Sequence, residues 1–249
     1  MKSEHGSAIV YVFIGIALFG ALMFLFSRGA SQTSPTISAQ RAKILATEIT
    51  DYSTTLEKGV QKLLSKGCSE KEINFASPMW FQIGNAGAYL VYENVNGHSP
   101  ADHSCQLFRK EGGGVIFQQP PKDAIASPNA LYNFTGTMTV LEVGTSLPEL
   151  NVILEVNKDV CIAVNKLNGV NLPSGQPYNM SPINNVTLYP TPLVNWKAYG
   201  YWMMDTWGSA FNTWLVMTSA YGLKGHKSGC FAGGASTITY LYYYVLEAR

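Results

Sequence analysis

Residues Ala8–Phe26 read AIVYVFIGIALFGALMFLF, nineteen residues with no charge and no proline. A helix needs about 20 apolar residues to cross the hydrocarbon core of a bilayer. Only the Tyr11 hydroxyl interrupts the apolar character of this run. A secretory signal has a shorter apolar region of about 7–15 residues before its cleavage site. The length therefore predicts a retained membrane helix. It divides the chain into a leader, 1–7, a transmembrane helix, 8–26, a stalk, 27–66, and a large head, 67–249.

The 249 residues carry a net charge of +1, and only 13% are charged. No basic stripe is present, which argues against nucleic acid as a partner. Cys68, Cys105, Cys161 and Cys230 are dispersed and form no CxxC pair. An even number of such cysteines beyond a membrane segment points to two disulfides in an oxidising compartment. Of the three pairings, Cys68 with Cys105 and Cys161 with Cys230 is favoured, because each closes one half of the head. Lys2 and Arg28 flank the span almost evenly, so charge decides orientation weakly. The cysteines place the tail in the cytoplasm and the head outside.

After the span, Ile37, Leu45, Ile49, Tyr52, Leu56, Val60 and Leu63 recur at helical steps. Gln32–Pro35 reads as a short polar break, and Gly67 is placed to stop the second helix. The expectation is an amphipathic helix of about 28 residues that follows the membrane helix through a kink at Pro35.

The leader ends in Gly6-Ser7, and the apolar run begins at once. A short charged leader closed by glycine, followed by a long apolar helix, resembles the type IV pilin and pseudopilin pattern. The long N-terminal helix leading to a head resembles the same layout. The resemblance implies cleavage between Gly6 and Ser7 by a prepilin-type peptidase. It also implies a single-pass protein of the bacterial inner membrane with a periplasmic or surface-exposed head. Its partners would be the membrane, other pilin-like subunits and assembly-machinery proteins. The implied function is non-enzymatic: a subunit or accessory of a type IV pilus-like filament (fimbrium) or secretion apparatus. One position departs from the pattern. The fifth residue after the cut is Tyr11, where the family carries the glutamate that registers one subunit against the next. That departure points to an atypical minor pilin, or to a tethered periplasmic domain outside any filament that binds carbohydrate or protein.

The head reads as α+β, with a mainly antiparallel sheet and one further helix. Ile73–Ala76, Met79–Ile83 and Ala88–Tyr92 are short strand-like runs. Cys105–Lys110 and Val115–Gln119 flank Gly112-Gly113-Gly114 and predict a hairpin. Tyr132–Val143 is rich in β-branched and aromatic residues and reads as one strand or two. From Ser146 to Asn168-Gly169 the cap residues frame a helix of about 20 residues, with Val152–Val156 as a competing strand. Asn157 interrupts the apolar face of that helix. TITYLYYYVLEAR at the C-terminus is apolar on both sides and predicts a central strand.

Trp196, Tyr201, Trp202, Trp207 and Trp214 crowd one segment. They are the candidate interface, for a partner or a sugar face; packing into the head's own core is the competing reading. His98, Asp102, His103 and Cys105 share a loop, but their spacing fits no zinc site and Cys105 is wanted for a disulfide. No serine elbow adjoins His98, His103 or His226, and Ser228 lies in a plain turn. The sequence therefore assigns no catalytic residue, metal or cofactor.

Overall fold

The computed structural model describes residues 6–77, 103–128, 130–145, 149–172, 174–179, 215–217, 222–233 and 238–248. Side chains are described at all of these but 6–10, 20–38, 71, 137, 179 and 215–217. Two compact units partition the chain, Met1–Arg41 and Ala42–Arg249. Helix α1, Gly6–Ser65, has residues in both. It runs through Gln32–Pro35, where the sequence predicts a break. A proline costs a helix one backbone bond and crowds the preceding turn, and here it does not end the helix.

In the second unit α1 buries one stripe: Ala42, Ala46, Ile49, Tyr52, Ser53, Leu56, Val60 and Leu63. Steps of three and four keep these on one face. Lys43, Thr47, Glu48, Asp51, Thr55 and Lys58 are exposed. Gly59 allows close approach, since a Cβ there would lie 2.4 Å from Val115 Cγ2. The helix ends in a Schellman turn: Gly67, at φ +93°, donates to the Leu64 carbonyl, and Cys68 N–H to that of Leu63.

The strands are β1 (Asn133–Val140), β2 (Glu149–Val156), β3 (Tyr178–Asn179), β4 (Leu215–Met217), β5 (Ser228–Gly233) and β6 (Thr239–Glu247). They form one sheet in the order β3-β5-β6-β2-β1-β4. The three inner pairings are antiparallel, and the edge pairs β1–β4 and β3–β5 are parallel. The head is thus α+β with a mainly antiparallel sheet.

β6 lies at the centre, and Leu241–Leu246 are all buried. Tyr242, Tyr244 and Leu246 face the core that holds the α1 stripe, with Val152, Leu154 and Val156 of β2. Leu241, Tyr243 and Val245 face a second core with Ile153, Phe231, Met138 and Val140, covered by Val170 and Leu223. In β1, Phe134 belongs to the first core and Met138 to the second. Strict alternation would keep both on one side. The register against β2 slips between Thr135 and Met138, and this bulge inserts the extra residue that reverses the facing.

The helix predicted from Ser146 to Asn168-Gly169 is a strand and a shorter helix, β2 followed by α2 (Lys158–Leu167). Strand β2 is flanked by β1 and β6 and buried on both faces. Its apolar residues then need no alternation, and helical and strand periodicities look alike. Asn157, which interrupts the predicted helix, is the N-cap of the real one. Its backbone is extended, its N–H donates to the Ala124 carbonyl, and its amide donates to that of Asp123.

The predicted hairpin around the three glycines is also corrected. No ladder joins its two arms. Gly112 and Gly114 N–H donate to the Arg109 carbonyl, Gly113 to Gln106, and Val115 to Leu107. Carbonyls on this loop accept from α1 instead: Lys62 Nζ meets Gly113, and Lys66 Nζ meets Glu111 and Gly112. Tyr52 grips the chain just beyond, its hydroxyl donating to Ile116 O and accepting from Gln118 N–H. Of the run Ile73–Ala76, Asn74 makes an isolated bridge to Gln106. Met79–Ile83 and Ala88–Tyr92 lie outside the described residues.

Disulfides join Cys68 to Cys105 and Cys161 to Cys230. The second fastens α2 to β5 and is fully buried. Beside it, buried Asn165 donates from Nδ2 to the Cys230 carbonyl and accepts from the Cys230 N–H, both at 2.8 Å. Asn165→Ala would strand a buried donor and a buried acceptor, each costing about 1–3 kcal/mol. Denaturant unfolding of the oxidised protein should show a loss of at least that size, with the disulfide intact. A loss under about 0.5 kcal/mol, typical of plain surface substitutions, would mean that the amide pair does not hold α2 to the sheet.

Candidate functional site

The residues predicted as sites fall in different parts of the structure. Gly6 and Ser7 open α1. The interface candidates Trp196, Tyr201, Trp202, Trp207 and Trp214 lie outside the described residues, as do His98 and Asp102. Cys105 is held in its disulfide and offers no thiolate. His226 is half-buried in the turn before β5, and its carbonyl accepts from the Tyr243 hydroxyl. Ser228 is buried within β5. Among the described residues, no three histidine, cysteine or carboxylate side chains come together as a metal site.

The first candidate surface is apolar helix. Every residue from Tyr11 to Phe19 is exposed. Seven of them are large and apolar, from Ile14 at 50% to Tyr11 at 72%. Such a stretch has no polar face, unlike the amphipathic stripe beyond Ala42. Among the described residues no helix is long and apolar enough to cross a membrane. Nine helical residues rise roughly 14 Å at about 1.5 Å each, about half of a hydrocarbon core. The rest of the expected span Ala8–Phe26 lacks described side chains.

The second candidate is an open groove of about 540 Å³ on the second unit. Lys43, Ile44, Glu48, Asp51 and Tyr52 of α1 line it, together with Gln118. Charges of both signs and an exposed isoleucine suit a protein contact better than a small molecule. No nucleophile–base pair or Gly-rich cradle is assembled there.

The third feature was not legible in the sequence. Glu149, at the start of β2, is fully buried. Its Oε2 accepts from Val140 N–H at 2.7 Å, and its Oε1 has no partner among the described residues. Burial pushes its carboxyl up to about 7, against a smaller downward pull from the Val140 bond. Asn151, two residues on and also fully buried, donates to the carbonyls of Met138 and Glu149. Its Oδ1 is likewise without a partner among the described residues.

A fourth set of polar groups locks the C-terminal strand to α1. Tyr242 donates to Ser53 Oγ at 2.8 Å, and Ser53 donates to the Ile49 carbonyl. Tyr244 donates to Glu57 Oε2 at 2.6 Å, and Lys227 pairs with Glu57 Oε1 while lying over the Tyr244 ring. Gln61 donates to Glu247. These contacts are structural, and each hydroxyl is already satisfied.

No protein-family model, curated protein or solved structure matches this chain.

The tyrosines give a direct test of the lock. Burial raises the Tyr52 and Tyr244 phenols to about 12, with Glu57 adding to the rise at Tyr244. Burial raises Tyr132, Tyr242 and Tyr243 further still. Each phenol is harder to ionise folded than unfolded. Its stabilising share is therefore complete below about pH 10 and lost as pH climbs through its folded value. At about pH 10.5, above the free phenol value, the native protein should lack the tyrosinate absorbance of at least five of its fourteen tyrosines. Full ionisation at that pH with the fold intact would contradict the burial of this cluster.

Proposed function

We propose that this chain is a membrane-tethered, pilin-like subunit that acts through contacts in a filament or secretion apparatus. The observation that carries the reading is the two-part character of α1. Over Tyr11–Phe19 it is apolar and exposed at every position, and beyond Ala42 it is amphipathic with one stripe buried in a disulfide-bonded α+β head. An all-apolar helix belongs in lipid or among other apolar helices. An amphipathic one belongs on a globular body. In this reading Ala8–Phe26 is the membrane and filament-packing segment, and Gly6-Ser7 is the peptidase site. In the same reading the head lies on the oxidising side of a bacterial inner membrane, which agrees with its two disulfides.

Tyr11 supports a second reading. Without a carboxylate at that position, the register contact that the pilin resemblance implies is missing. The head would then be a tethered binding domain outside any filament, with Trp196–Trp214 as its recognition surface.

The N-terminal mass of the protein from its native cells separates the readings. A start at Ser7 is expected, and Gly6→Val should leave the leader in place. An intact Met1 or Lys2 would overturn the filament-subunit reading and leave the tethered domain. A start near Ala30 or Ser31 would overturn both. In alkaline carbonate extraction the full chain should stay with the membrane pellet, and a variant deleted for 8–26 should be released. Release of the full chain would refute the anchor.

A further inference from the structure

The Glu149 carboxyl sits where the sheet is least regular. It lies beside the bulge of β1, and β1 is the strand that carries the three-residue edge strand β4. The Glu149 side chain accepts from the Val140 N–H at 2.7 Å. Val140 is also the residue in register with Met217 of β4. One buried carboxyl thus fastens the last residue of β1 at the edge pairing.

The groups around it are acceptors. Glu149 Oε1 and Asn151 Oδ1 are both buried and both lack a donor among the described residues. A buried carboxylate oxygen without a donor is costly. A metal ion needs more ligands than this. Among the described residues no set of three His, Cys, Asp or Glu side chains is available. A proton needs only one donor and one acceptor. Placed on Glu149 Oε1, it would turn an unmatched acceptor into a donor. Asn151 Nδ2 donates to the backbone carbonyl of Glu149 at 2.9 Å.

No cation among the described residues compensates the ionised form. β1 and β4 carry no titratable side chain. β6 brings Tyr243, a neutral phenol that donates to the His226 carbonyl and whose ionisation Glu149 opposes. Glu247 of β6 is turned to Gln61 of α1. In the turns beyond, Lys224 is paired with Glu142 and Lys227 with Glu57. An ionised Glu149 would be a buried charge without a counter-charge, which is strongly destabilising.

We propose that Glu149 is a proton-operated latch on the β1–β4 edge, closed when its carboxyl is protonated and released when it ionises. The proposal is independent of the membrane reading. The direction of the effect follows from linkage. The carboxyl is raised from 4.5 in the open chain to about 7 in the fold. The latch's stabilisation is therefore complete below about pH 4.5 and is lost as pH rises through about 7. The latch thus responds to pH near neutrality, and the β1–β4 edge tightens on the acid side.

The test is denaturant unfolding of the full chain in detergent at about pH 5.5 and about pH 8.5, for wild type and Glu149→Gln; these values bracket the folded carboxyl. Glutamine keeps an acceptor for Val140 and supplies a permanent donor, so it mimics the protonated acid. Because the open-chain carboxyl is already largely ionised at about pH 5.5, E149Q should be the more stable of the two there by roughly tenfold in the unfolding constant. From the lower to the higher pH, the wild-type unfolding constant should rise roughly tenfold to hundredfold more than that of E149Q. Parallel profiles would overturn the latch. Should E149Q fail to fold, the carboxyl carbon-13 resonance of Glu149 in the wild type decides. A midpoint near 7 is expected, and one near the free-chain value sinks the proposal. Hydrogen exchange at Val140, corrected for the intrinsic pH dependence, should be better protected at the lower pH. Equal protection would refute release of the edge.

Discussion

The structure depends on the burial of one stripe of α1 against the sheet. Ile49, Leu56, Val60 and Leu63 have no exposed surface. Each such side chain contributes about 1.5–3 kcal/mol by leaving water. β6 answers the stripe with tyrosines. A tyrosine brings a large apolar ring but also a hydroxyl that must find a partner in the dry core. Tyr242 finds Ser53, which passes the bond to a helix carbonyl, and Tyr244 finds Glu57. Removing Ser53 would take this bond from the buried Tyr242 hydroxyl, so the hydroxyls help to fix the registration of helix on strand. Apolar burial supplies the attraction, and the hydroxyls select one arrangement.

The sheet then grows outward from β6. Its neighbour β5 is fastened to α2 by the Cys161–Cys230 bridge and by Asn165. Its other neighbour β2 leads to β1, where the bulge turns the last residues to the opposite core. The outermost described strands are β3 and β4. Beyond the bulge, Glu149 accepts from the Val140 N–H, so the buried carboxyl has one partner inside the sheet.

Much of this was legible in the sequence where one periodicity applied. The α1 stripe has helical spacing and nothing else. The run from Thr239 to Glu247 is apolar on both sides and ends the chain, and it is the central strand. The cysteines divide naturally between the two halves. Legibility failed where local and distant partners competed. Val152–Val156 satisfies a helix and a doubly buried strand alike, and only the neighbours β1 and β6 decide. The glycine loop has hairpin composition, yet Lys62 and Lys66 of α1 take the carbonyls that a ladder would use. Glu149 looked like a first-turn helix residue beside Pro148. Its burial follows from the strand assignment, and no local signal announces it. A polar residue inside an apolar run, such as Asn157, proved more informative as a boundary than as an interruption.

The two stretches of α1 cannot share one solvent. Beyond Ala42 the helix has a wet face of lysines, acids and threonines and a dry face in the core. Over Tyr11–Phe19 it has no wet face. Seven large apolar side chains there stand exposed. At about 1.5 kcal/mol each for burial, they hold on the order of 10 kcal/mol of unsatisfied apolar surface. That is comparable to the whole stability of an ordinary domain, about 5–15 kcal/mol. A chain alone in water would remove such a surface by aggregating. The proposed lipid or subunit neighbour therefore rests on the exposed area of the described residues, independently of how long the apolar run is. Every described strand, both disulfides and Glu149 lie beyond Ala42.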